Sequence, residues 1–257
     1  KQNNFETIFL NGLIDIKKKF KSYGVYGQEF CYIGGISLSI MLIHYISKFN
    51  PSEWTNTEFL NFCKYWSNFE YSNIIGMRGI EGMIGSGSGS TFTSRSDEQN
   101  NILVNRSSNV HIYVKGPISN YNTTRNLTAS TFNMIKYYLK NNFEFKYEST
   151  YVLKFTISST NLYAHDEIKS FVRSIYLKII LRIEKLIKNT SNIVYPRAPH
   201  NNTSDYIINE LSAQYETTYE FEFNFDPISL INIFTDVKNK IISLYENTNA
   251  QIMIIQK

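Results

Sequence analysis

Apolar and polar positions along the first seventy residues repeat at helical intervals. Phe5, Ile8, Phe9, Leu13, Ile16 and Phe20 fall on one side of a helix predicted over residues 4–23, with its charges on the other. A second and more apolar helix is predicted over 33–49, central to a bundle, and it ends at the turn pair Asn50-Pro51. A third spans 53–69, with Phe59, Leu60, Phe62, Cys63 and Trp66 directed inward. Composition then changes abruptly. The alternating Gly-Ser stretch 85–90 reads as a flexible linker, either native low complexity or an engineered replacement for a loop, and no chemistry belongs to it.

Periodicity returns as a strand-like His111–Val114, then Pro117, a hydroxyl- and amide-rich run 122–131, and a helix predicted over 131–139. From residue 143 the pattern alternates. Strands are predicted over 150–158, 192–195 (ended by Pro196), 219–226 and 251–255, and helices over 166–188 and 226–244. In the long helix Ile168, Phe171, Val172, Ile175, Ile179, Ile183 and Ile187 face inward. Two β-α-β-like halves after a run of helices predict an α+β chain: a helical domain followed by a ferredoxin-like or RRM-like domain. The expected divisions are 1–75 and 109–146 for the helical domain, 76–108 for the linker, and 147–257 for the α+β domain.

Composition changes this picture little. The 257 residues suffice for one large core or two ordinary ones, and 42% apolar content excludes a disordered chain. A net charge of +4 permits a polyanionic partner without requiring one. Two cysteines, Cys31 and Cys63, are too few for a disulfide framework or a zinc site, and both sit in apolar surroundings as expected of buried free thiols in a reducing compartment. Six Asn-x-Ser/Thr triplets (at Asn105, Asn122, Asn126, Asn189, Asn201 and Asn202) are expected by chance in so Asn-rich a chain. No apolar run reaches the roughly 18 residues of a membrane span, and no secretory leader is visible.

The stretch 16–36 concentrates the candidate chemistry. Lys17, Lys18, Lys19 and Lys21 lie on the last turns of the first helix, which stops at Gly24, the residue type that most readily takes positive φ. Tyr26 follows on a short connector, and Gly34-Gly35 precedes the second helix. Glycines at a helix mouth let a flat ligand approach the backbone, and free amides there favour anions. On composition alone a lysine run is a solvated face and a Gly-Gly is a cap or a close helix crossing.

These residues, Lys17, Gly24-Val25-Tyr26 and Gly34-Gly35-Ile36, resemble the central domain of poly(A) polymerases, where a lysine, a Gly-Ile-Tyr and a Gly-Gly-Val recur at this spacing. Asn122, Thr123, Thr124, Asn126, Ser130 and Thr131 resemble the Asn-Ser-Thr-rich run that the family places after a proline and before a helix. The aromatic helix ending at Trp66 and the basic helix followed by a Pro-rich loop, residues 173–199, are similar to family features too. The chain departs from the family at Gln28, where an asparagine is usual. It also has only residues 141–146 where the family inserts further helices.

The resemblance implies that Lys17, Tyr26, Gln28, Gly34, Gly35 and Ile36 hold ATP: lysine and tyrosine at the triphosphate, the Gly-Gly-Ile backbone against adenine. It implies RNA contacts at Asn122, Thr123, Arg125 and Asn126, and along the basic helix at Lys169, Arg173 and Arg182. ATP and the 3′ end of mRNA or its poly(A) tail are the implied partners, with cleavage and polyadenylation factors beside them. The implied location is the nucleus, or the cytoplasm for a viral parent.

Adenylyl transfer by two Mg²⁺ or Mn²⁺ ions requires paired carboxylates on a strand. No Asp-x-Asp occurs in the chain. The expectation is therefore a part of a poly(A) polymerase that lacks the nucleotidyltransferase domain, carries no catalytic or metal-binding residue, and binds nucleotide without transferring it. Glu220, Glu222 and Asp226 share a strand face by alternation, which reads as a solvated face. His44, His111, His165 and His200 lack metal spacing. The alternative from another class is a stand-alone, non-catalytic RNA- or protein-binding module. It would use Lys169, Arg173, Lys178, Arg182 and Lys185 against phosphates, without the aromatic stacking motif of an RRM.

Overall fold

The computed structural model describes residues 2–69, 74–75, 113–114, 122–187, 194–198, 206–209 and 212–257. The Gly-Ser stretch, His111, Pro117, Lys188, Pro199, His200 and the triplets at Asn105, Asn189, Asn201 and Asn202 lie outside them. The chain forms two compact units: residues 1–20, 26–28 and 32–145, and residues 21–25, 29–31 and 146–257. It is an α+β fold.

The first unit is built on α1 (Gln2–Ser22), α2 (Gly35–Phe49), α3 (Asn56–Ser67) and α4 (Ala129–Lys140), with a small parallel pair of β1 (Ile74–Ile75) and β2 (Tyr113–Val114). Burial follows the predicted stripes. Ile8, Ile16 and Phe20 of α1, Leu38, Met41 and Leu42 of α2, and Phe59, Phe62 and Trp66 of α3 are all buried. Phe143, just beyond α4, joins them by packing on Phe20, Phe59 and Tyr138 at ring-centroid distances of 4.9, 6.0 and 5.5 Å. α3 begins after the N-cap Thr55, whose hydroxyl accepts from the Glu58 amide. α4 begins two residues earlier than the pattern predicts, because Thr128 and Thr131 cap it reciprocally.

The second unit holds β3 (Tyr151–Ser159), α5 (Leu162–Leu186), β4 (Val194–Arg197), β5 (Tyr206–Asn209), β6 (Ser212–Phe223), α6 (Ile231–Leu244) and β7 (Thr248–Gln256). The strand order β4-β6-β3-β7 is antiparallel throughout, and β5 pairs with the N-terminal half of β6. Strands and helices in this sequence and order make the split β-α-β arrangement of ferredoxin-like domains. In register, Leu153 lies opposite Phe221, and Phe155 opposite Tyr219. Those residues face the helices, where Tyr176 of α5 and Phe234 of α6 meet Phe221 at 5.6 and 4.9 Å.

Several boundaries differ from expectation. α5 starts at Leu162, because the Asn161 side chain accepts from the amides of Tyr163 and Ala164. Its core face also takes Tyr176 and Ile180, which the pattern left out. Pro196 lies inside β4 and does not end it; β4 is an edge strand, where a missing amide costs no ladder bond. The predicted strand 219–226 starts at Ser212, and the predicted helix 226–244 splits into a 3₁₀ turn, Pro227–Leu230, capped by Asp226, followed by α6.

Candidate functional site

Three parts of the first unit meet at the start of α2. Lys17 lies on the half-buried side of α1, three residues before the buried Phe20 anchors that helix. Beyond it α1 ends at Ser22, and Gly24, with φ of +69° and an amide bond to Lys21 O, closes the turn that follows. Tyr26 pairs with Ile33 in an isolated parallel bridge, and Gly27, at φ +112°, donates to Ile33 O at 3.2 Å. The loop so closed delivers Gly34 as the N-cap of α2 in extended conformation.

Gly35 is where these groups converge. A Cβ placed there would lie 3.0 Å from the Tyr26 phenol oxygen and 3.5 Å from both Cε and Nζ of Lys17. An ammonium, a phenol and a bare backbone edge thus border one small space. Gly34 offers no capping side chain, so the first-turn amides of α2 lack the usual acceptor at a point where anions are favoured. Lys17, Tyr26, Gly34 and Gly35 are all half-buried. The Ile36 side chain is exposed.

Gln28, Asn122, Thr123 and Asn126 act differently from expectation. Gln28 Nε2 donates to Thr123 O at 3.0 Å, and Gln28 O accepts from Asn126 Nδ2 at 3.4 Å. Thr123 is buried; its hydroxyl meets Ser37 Oγ at 2.7 Å and donates to Val114 O at 3.0 Å. Asn122 Oδ1 accepts from the amides of Val114 and Thr124 and from the Thr124 hydroxyl. These side chains staple the run 122–126 to the start of α2, and Asn122 Oδ1 and the buried Thr123 hydroxyl are taken up within the fold. Arg125 is exposed. Ser37, the third residue of α2, is the one contributor the sequence reading missed; its only signal was a small hydroxyl in an apolar run.

The basic helix also resolves differently. On α5, Lys169 and Arg173 share one side, while Lys178, Arg182 and Lys185 lie roughly 160° further round. Lys169 pairs with Asp166 at 3.1 Å and Arg182 with Asp236 at 3.0 Å. The five cations therefore do not make one stripe. The sheet face opposite the helices carries Lys154, Thr156, Thr218 and Glu220 on its two central strands, and its aromatic Tyr195, on the edge strand β4, is buried against Tyr147 and not presented for base stacking.

The solvated-face reading of the β6 acids fails at Glu222, which is 2% exposed. Its Oε1 meets Arg197 Nε at 2.6 Å and Lys257 Nζ at 3.6 Å. Glu220 pairs with Lys154 at 3.0 Å, and Asp226 caps the Ile228 amide. Each of these three acids is thus engaged by a cation or an amide through one oxygen. Among the described residues no group of His, Cys, Asp and Glu is placed to hold a metal ion. His165 is buried with its Nε2 3.2 Å from the Thr217 hydroxyl, and burial lowers its pKa. Cys31 and Cys63 are buried free thiols, each raised to about 12 chiefly by burial. Among the described residues no helix is long and apolar enough to cross a membrane.

No protein-family model matches the chain, and comparison with curated proteins finds no significant match.

Proposed function

We propose that this chain is the nucleotide- and RNA-holding part of a poly(A) polymerase, an enzyme that moves AMP from ATP to an RNA 3′-hydroxyl. The observation that carries the reading is the meeting of Lys17, Tyr26 and Gly35 around one point at the mouth of α2. In this role the Lys17 ammonium neutralises triphosphate charge. The Tyr26 hydroxyl donates to a phosphate or ribose oxygen, and the bare edge at Gly35-Ile36 lets adenine lie against the backbone. The staple from Thr123 to Ser37 and Gln28 holds that edge still. Magnesium-dependent transfer would be the work of carboxylates other than those of β6.

The test is calorimetric titration of ATP into the chain. Weak binding is expected, reduced about tenfold or more by Lys17→Ala and by Gly35→Val, and unchanged by Arg173→Ala. Equal binding by wild type and Lys17→Ala would overturn the reading, as would efficient tail extension by this chain alone. The proposed setting is RNA 3′-end processing in the nucleus, or in the cytoplasm for a viral parent.

A further inference from the structure

A second feature of the first unit lies at the far end of α2, about 20 Å along the helix from Gly35. An open groove of about 800 Å³ is walled by Tyr45, Phe49, Tyr65 and Phe69, with Lys48 and Lys64 beside them. Phe49 is 50% exposed. It packs against Tyr65 and Tyr45 with ring centroids 5.2 and 4.9 Å away. Tyr65 is fixed in turn by a 2.7 Å hydrogen bond between its hydroxyl and His44 Nε2. Burial holds His44 down to about 4, so that partner is neutral at physiological pH.

The charges of the groove are unequal in availability. Glu58 is engaged at both oxygens, by the Tyr45 hydroxyl at 2.7 Å and by Asn61 Nδ2 at 3.4 Å. Lys48 and Lys64 are exposed, and neither pairs with a carboxylate among the described residues. Lys48 lies over the Tyr65 ring, 4.9 Å from its centroid. Asn68, also exposed, adds an amide on the rim, its Nδ2 donating to Lys64 O at 3.0 Å. Rigid aromatic faces, two exposed lysines against one hydrogen-bonded carboxylate, and rim amides suit a flexible chain of bases and phosphates: rings to stack on, ammonium groups for the backbone, and amides for base edges.

We propose that this groove binds a short stretch of single-stranded RNA, with a base stacked at Phe49 and phosphates at Lys48 and Lys64. The choice of RNA as occupant rests on the polyadenylation reading, but the groove shares no residue with the Lys17 cluster.

Fluorescence anisotropy with a labelled twelve-nucleotide oligoadenylate tests this, alongside ATP titration of the same proteins. Lys48→Ala/Lys64→Ala is expected to weaken oligoadenylate binding at least tenfold and to flatten the log–log salt slope by about 1.4, while leaving ATP binding unchanged. Phe49→Ala is expected to weaken binding about five- to a hundredfold with no change of slope. A duplex of equal length should bind more weakly than the single strand. Unchanged affinity and slope in the double lysine variant, or no oligoadenylate binding by the wild type, overturns the groove. Loss of ATP binding in the wild type, with lysine-dependent oligoadenylate binding intact, would instead sink the nucleotide site and leave the groove standing.

Discussion

The two units secure their polar edges by different means. In the first, the start of α2 is held by neutral groups: the Thr123 and Ser37 hydroxyls, the Gln28 and Asn126 amides, and the Asn122 carbonyl. In the second, the open sheet face is held by ion pairs, Arg197–Glu222, Lys257–Glu222 and Lys154–Glu220. The consequence is electrostatic. Ion pairs engage Lys154, Arg197 and Lys257 on the sheet, and Lys169 and Arg182 on α5, whereas the neutral staple engages no cation and leaves Lys17, Lys48 and Lys64 without a carboxylate partner among the described residues. A positive charge with no internal partner is the one an anion can still use, so anion binding is expected at the start and the far end of α2 and not along the sheet.

The most damaging way to probe this contrast is at Glu222. Removing one partner of a buried pair strands the other charge, and Glu222→Ala is expected to cost about 3–5 kcal/mol in urea unfolding. Arg182→Ala removes an exposed pair with side chains 56% and 61% accessible, and is expected to cost no more than about 1 kcal/mol. Equal losses at both positions would mean that burial does not distinguish the pairs.

Thr123→Val comes next in size. It keeps the shape and removes the 2.7 Å contact with the buried Ser37 hydroxyl, which retains its bond to Thr123 O at 3.3 Å, for an expected loss of about 0.5–1.5 kcal/mol. Because the staple carries no formal charge, this loss should be the same at 0.05 and 0.5 M salt. A salt-dependent loss would show that the edge is held by charge after all.

How much of this was legible follows from the same division. Apolar spacing placed the four described α-helices of the first unit and the helix-facing residues of the sheet, because burial of one face leaves a periodic trace. Convergence of Lys17, Tyr26 and Gly35 was legible only through a family resemblance; spacing alone left a solvated lysine run as the simpler reading. Glu222 was misread because alternation assigns faces and not accessibility, and its cover comes from Arg197 and Lys257, 25 and 35 residues away in sequence. The N-terminal half of β6, Ser-Ala-Gln-Tyr-Glu-Thr-Thr, lacks a strong alternation and is held by backbone pairing with β5 and β3. Gly12 leaves no trace in the apolar pattern, yet a Cβ there would meet the Trp54 ring at 2.9 Å and Leu42 at 3.1 Å.

A smaller effect separates the two glycines of the site. At Gly34 an added methyl meets only Gln28 Cβ at 3.5 Å, an ordinary contact, whereas at Gly35 it meets the Tyr26 oxygen at 3.0 Å. Gly35→Ala is expected to push the phenol aside and weaken ATP binding severalfold, with Gly34→Ala near wild type. The reverse order would place the ligand against the connector rather than the helix mouth.

The smallest effect tests directly whether the lysines are uncompensated. His44 has its pKa lowered to about 4, first by burial and second by the charge of Lys48. The unfolded chain takes up this proton near pH 6.5, before the folded one does. His44 therefore contributes stability above pH 6.5 that is lost as pH falls through about 4. If the Lys48 charge is unscreened by any carboxylate, Lys48→Ala must raise the His44 midpoint and move that acid limb of the stability curve upward in pH. Proton NMR titration of the imidazole reads the shift, with His165 as internal control because its nearest charges are Lys169 and Asp166. A His44 midpoint unmoved in Lys48→Ala would mean that Lys48 is already neutralised. The groove would then have lost the free cation on which its claim to bind phosphate depends.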